Sequence, residues 1–193
     1  MECFACHPDV DGDPYPNGPV RVVKTVQLSD LILLRTKEAL INRENGEDVY
    51  LVGAPFAISW VAEDGTDGEI TVPAGFITDL TSVPPLFRLF VSRAGPWLEA
   101  AVTHDYLYIA WQLVEGRGPR DQDRKWADDV MFAAMKAAKV SAWRRWAIYL
   151  ALRVGGRWTY QRSGEGIANF GNVNDPRLEY LAAVPQVQES EVV

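Results

Sequence analysis

Residues 97–138 read WLEAAVTHDYLYIAWQLVEGRGPRDQDRKWADDVMFAAMKAA, and this stretch decides how the chain is organised. It divides at 115–120 (EGRGPR), a loop signal rich in glycine and proline. Before the loop, 97–111 has a helical pattern, with Pro96 suited to its first turn. After it, 121–138 is a second helix, opened by Asp121 and Asp123, whose charges suit the positive end of a helix dipole. Two helices joined by so short a loop pack as an antiparallel hairpin.

The flanks of the hairpin differ in character. Downstream, Ser141 is a capping residue and 142–154 a third helix, which Gly155-Gly156 is expected to stop. Upstream, 73–94 (PAGFITDLTSVPPLFRLFVSRA) reads as a turn-and-helix segment. Before that come β-branched runs: 20–36, split at Ser29-Asp30, then 48–62 around Gly53 and Pro55. A short strand at 69–72 follows the turn signals Asp64-Gly65 and Asp67-Gly68. The expectation is an α+β fold, a β-rich N-terminal half followed by a three-helix C-terminal half. One domain over 21–160 is expected, with an N-terminal arm at 1–20 and a C-terminal extension at 161–193.

With 193 residues and 48% hydrophobic content, the chain can bury one sizeable core. Its formal charge of -7 argues against wholesale binding to a phosphate backbone, so no nucleic-acid partner is expected. No apolar run approaches the ~18 residues of a membrane span. The first residues lack the basic and apolar regions of a secretory signal, so synthesis in the cytoplasm is expected. Cys3 and Cys6 are the two cysteines, too few for a disulfide framework.

The hairpin also carries chemistry. Tyr108 lies four residues after His104 and shares its helix face, whereas Asp105 points about a quarter-turn away. Asp128 is mid-span on the second helix, with Arg124 and Phe132 on its own face. Across the hairpin, His104 and Asp128 can meet. A carboxylate bonded to one imidazole nitrogen fixes the tautomer and leaves the other nitrogen to act as a general base toward water. Asp105 is a hard oxygen ligand of the kind calcium takes. The alternative is a buried pair that simply satisfies its own hydrogen bonds.

Two resemblances follow from these residues. His104-Asp105-Tyr106-Leu107-Tyr108, followed by Ala127-Asp128, resembles the active-site helix pair of phospholipase A2 proteins, including short bacterial and parvoviral forms. That resemblance implies His104 as general base, Asp128 as its orienter, Tyr108 bonded to Asp128, and Asp105 as a calcium ligand. The glycine-rich calcium loop of that family has no counterpart here: Gly75 and Gly95 precede the His104 helix without a G-x-G pattern. Either the missing oxygens come from elsewhere, such as Thr78, Asp79 or Ser82, or no calcium binds and the cluster is a structural feature. The second resemblance spans about residues 48–158. VPAGFITDLTSVPP, AAVTHDYLY and ADDVMFAAMKAAKVSAWRRWAIY resemble an uncharacterised phage and prophage family, domain of unknown function 1353. It implies phage origin and no established activity.

Three further features have two readings each. Thr78, Asp79 and Ser82 add polar groups near the site, or cap the helix that Pro84-Pro85 opens. Cys3-Phe4-Ala5-Cys6-His7 has a functional reading, as a haem-attachment spelling, a reducible pair or a metal site shared between chains, and the one we favour, coincidence in an exposed arm. Trp143, Arg144, Arg145, Trp146, Tyr149 and Arg153 form an aromatic, cationic helix that would lie on a membrane surface or bind an acidic partner. The alternative, favoured from the pattern, is a packed helix: Trp146, Tyr149, Leu150 and Val154 form its core stripe and the arginines its solvated edge.

Two functions are carried forward. One is a virion component near the phage tail, contacting other phage structural proteins; seven Trp and seven Tyr suit such interfaces. It would be made in the host cytoplasm and then join the virion. The other is a calcium-dependent, phospholipase A2-like hydrolase acting on lipid esters when the phage enters or lyses its host.

Overall fold

A computed structural model describes residues 12–16, 22–35, 50–78, 97–162 and 170. Alternation of apolar and polar residues builds the first half. In β4 (Phe56–Ala62), Phe56, Ile58, Trp60 and Ala62 point inward while the residues between them are more open. β4 is the middle strand of an antiparallel sheet, flanked by β1 (Val23–Leu28) and β5 (Asp67–Val72). A second antiparallel sheet holds β2 (Leu33–Arg35), β3 (Tyr50–Val52) and β6 (Ile77–Thr78), with β3 in the middle. The expected split at Ser29-Asp30 is therefore a change of sheet.

One turn signal lies elsewhere than expected. Gly65, at φ +82°, occupies the left-handed conformation of the β4–β5 hairpin turn. Asp67-Gly68 instead belongs to β5. There Gly68 lies under the Trp60 indole, where a Cβ would come 2.8 Å from a ring carbon.

The second half consists of α1 (Leu98–Ile109), a short 3₁₀ turn (Ala110–Gln112), α2 (Asp121–Ala137) and α3 (Ala142–Arg162). The fold is α+β, with α1 and α2 paired as the helix hairpin and α2 laid against the β1–β4–β5 sheet. Trp126, fully buried on α2, packs edge-on against Trp60 of β4, with ring centroids 5.6 Å apart. α2 ends in a Schellman motif: the Val140 N–H bonds the Met135 carbonyl and the Lys139 N–H the Lys136 carbonyl. Lys139 holds the left-handed position, at φ 59°.

α3 corrects two expectations. It runs through Gly155-Gly156 instead of stopping there. Its apolar stripe is also turned outward: Trp146, Leu150 and Val154 are exposed, and Ile148, Ala151 and Leu152 face the core. Side-chain size along the helix does not say which face docks; the contact with α2 does.

Within the N-terminal arm, residues 12–16 dock on the domain. The Tyr15 ring is buried against Trp126, its hydroxyl donates to the Leu107 carbonyl, and it accepts from the Trp111 N–H. Cys3, Cys6, His7, Asp79, Ser82, the helix proposed after Pro84 and most of 161–193 lie outside the described residues.

Candidate functional site

The helical periods of α1 and α2 set the site. His104 and Tyr108, one turn apart on α1, both reach across the hairpin to Asp128 on α2. His104 Nε2 is 2.9 Å from Asp128 Oδ1, and the Tyr108 hydroxyl donates to the same oxygen at 2.7 Å. The two rings lie against each other, centroids 4.0 Å apart.

The other oxygen of Asp128 is held by arginines. Arg153, from α3, donates to Oδ2 at 2.8 Å, and Arg124 Nη1 lies 3.7 Å away, one turn before Asp128 on α2. Asp128 is fully buried and His104 is 4% exposed. An ion so placed needs all these donors to offset its lost hydration. Burial alone would raise the Asp128 pKa. The bonds from His104, Tyr108 and Arg153 outweigh it and hold the carboxyl below its ordinary 3.8.

This ionisation determines the histidine tautomer. An ionised carboxylate only accepts hydrogen bonds, so Nε2 carries the proton that faces Asp128. In the neutral ring Nδ1 then has a lone pair, and no described residue bonds to it. Tyr108 stays a donor: burial, then the charge of Asp128, push its hydroxyl far above the ordinary 10.0.

A family model described as "Protein of unknown function (DUF1353)" matches residues 57–152. The chain resembles the DUF1353 family. No curated protein and no solved structure matches it. The DUF1353 stretch begins in β4 and contains His104, Asp105, Tyr108, Arg124 and Asp128; Arg153, the next residue after it, completes the carboxylate's shell.

Asp105 stands apart from the dyad. It is half-buried, and its Oδ2 accepts from the Thr78 hydroxyl of β6 at 2.7 Å. Calcium takes about 6–8 oxygens. Among the described residues, Asp105 and Thr78 supply two side-chain donors, and no three His, Cys, Asp or Glu cluster as metal ligands. Those residues do not by themselves fit a calcium shell, and no step below runs through the ion.

Two residues at the site, both just past the matched stretch, are not found from the sequence pattern. The helical pattern places Arg153 on the solvated edge, whereas in the structure it closes the carboxylate. The pattern makes Gly156 a helix stop, whereas in the structure it is where Tyr108 passes beneath α3. Five arginines and no acid on α3 signalled that some of them need anionic partners, but not which. Beside the site, Asp129 is engaged separately by Lys125 at 2.6 Å and Tyr149 at 2.8 Å.

Proposed function

We propose that this chain is a phage-encoded hydrolase of lipid esters, in which His104 is the general base and Asp128 its orienter. The observation that carries this reading is the 2.9 Å bond from His104 Nε2 to a buried, ionised Asp128. It leaves Nδ1 as the basic nitrogen. In the reaction, Nδ1 takes a proton from water as the water oxygen attacks the ester carbonyl. The same proton then passes to the departing alkoxide, and the acid and alcohol leave. Asp128 steadies the imidazolium between the two transfers. Tyr108, Arg153 and Arg124 hold Asp128 in place. Phage origin is what the family resemblance implies. Contacts with other phage proteins in a virion are supported by the seven Trp and seven Tyr, and synthesis in the host cytoplasm by the lack of a secretory signal pattern in the first residues.

The test is release of fatty acid from mixed phospholipid vesicles, with calcium and with chelator. Wild type is set beside His104→Gln, Asp128→Asn and Asp105→Asn. A general base contributes about 10²–10⁴-fold, so His104→Gln should remove nearly all turnover. Calcium dependence lost in Asp105→Asn would add the ion to the site.

A second reading is a virion component in which the cluster is purely structural. It is favoured by the completeness of the shell, since both Asp128 oxygens are already bonded inside the protein. No turnover in any condition, with His104→Gln lowering only the melting temperature, would establish that reading instead.

A further inference from the structure

The outward face of α3 has no role in the site. Trp143, Trp146, Leu150 and Val154 recur at spacings of three and four and so share one helix face. They are 57%, 53%, 56% and 83% exposed. Contiguous apolar exposure of this kind marks an interaction surface more often than chance. The stripe covers about 16 Å of helix at 1.5 Å per residue.

Its charge points to the partner. α3 contains five arginines and no acidic residue, in a chain whose net charge is -7. Arg153 is spent on Asp128, and Arg145 bonds the Val140 carbonyl. Arg144 and Arg157 remain exposed. Arg144 lies over the Trp143 ring, its guanidinium carbon 5.3 Å from the centroid. Apolar and indole side chains on one face, edged by cations, are the make-up of a helix lying in a bilayer interface. Indoles favour that boundary because one edge is apolar and the N–H is polar. A second copy of the chain fits less well, since it would bring arginine against arginine.

We propose that this face of α3 docks on an anionic phospholipid surface, with Trp146, Leu150 and Val154 at the headgroup boundary and Arg144 and Arg157 on the lipid phosphates. The proposal is independent of the hydrolase reading, because it concerns binding and not turnover.

The test is flotation of the full chain with vesicles of phosphatidylcholine alone or with phosphatidylglycerol added, at low and high salt. Two double variants accompany it: Trp146→Gln with Leu150→Gln, and Arg144→Glu with Arg157→Glu. All four positions are exposed, but the Trp146 ring also lies 4.9 Å from that of Phe132, so melting temperatures are measured beside binding and Leu150→Gln with Val154→Gln serves as a second apolar variant. Wild type is expected to float with the phosphatidylglycerol vesicles and to release in salt. Each double variant should bind at least about tenfold more weakly. No flotation of wild type, equal binding to both vesicle types, or undiminished binding by the variants overturns the proposal. So does a wild-type dimer in chromatography that the Trp146 variant abolishes while vesicles stay unbound, which would assign the face to a second copy.

Discussion

A Cβ placed on Gly156 would lie 2.4 Å from the hydroxyl oxygen of Tyr108. The glycine is therefore the space through which α1 reaches Asp128 under α3. Gly156→Ala must push aside a ring that is itself hydrogen-bonded to the buried carboxylate. Overpacking of this kind costs about 1–3 kcal/mol. Chemical denaturation should show that loss. Gly155→Ala, at an exposed helical position, should instead gain up to about 1 kcal/mol from helix propensity. Equal effects at the two glycines would contradict the packing role.

Asp128 should make stability depend on acid. Its folded pKa is lowered, so its contribution is fully present above the ordinary value of 3.8 and disappears as pH falls through the lower folded value. Asp128→Asn strands Arg153 and Arg124 beside a neutral group, at a cost of about 3–5 kcal/mol near pH 7. Urea unfolding across the acid range should show the gap between wild type and variant closing only below pH 3.8. A gap unchanged down to the strongest acid would mean that the ionised form brings no stability.

Tyr15 ties the N-terminal arm to the end of α1. Tyr15→Phe keeps the ring against Trp126 but removes the partner of both the Leu107 carbonyl and the Trp111 N–H. Leaving buried backbone groups unpaired costs roughly 1–3 kcal/mol. Hydrogen exchange should speed at the Trp111 amide in particular. Unchanged exchange there would show that residues 12–16 do not hold this position in solution.

Lys139 adopts the left-handed conformation that closes the Schellman motif, where a side chain is strained and glycine is not. Lys139→Gly should raise stability by about 0.5–1 kcal/mol, because relief of strain exceeds the entropy glycine adds to the unfolded chain. Thermal melts would register this as a rise of a few degrees. A fall would mean that the lysine side chain makes a compensating contact.

How much could be read before the structure differs by element. The strand runs and the hairpin were legible because periods of two and near four are local properties of the chain. The meeting of His104 and Asp128 was legible too, because a short loop brings the second helix back over the first, while the bond from Tyr108 to Asp128 was implied only by the resemblance to phospholipase A2. Arg153 was not legible, because its role depends on how α3 crosses α2. Nor was the exposure of Trp146 and Leu150: on a helix with large apolar residues all round, pattern alone does not select the buried side.

The sequence by itself therefore determined the α+β layout, the helix hairpin and the facing of His104 and Asp128 within it, since each rests on spacing along one or two adjacent elements. Only the tertiary structure decided that Arg153 completes the shell of Asp128, that Gly156 opens the passage for Tyr108, that Tyr15 anchors the arm, and that the aromatic stripe of α3 faces outward. These depend on the angle and depth at which distant segments dock. Close packing of the whole core sets both, and no local run of residues encodes them.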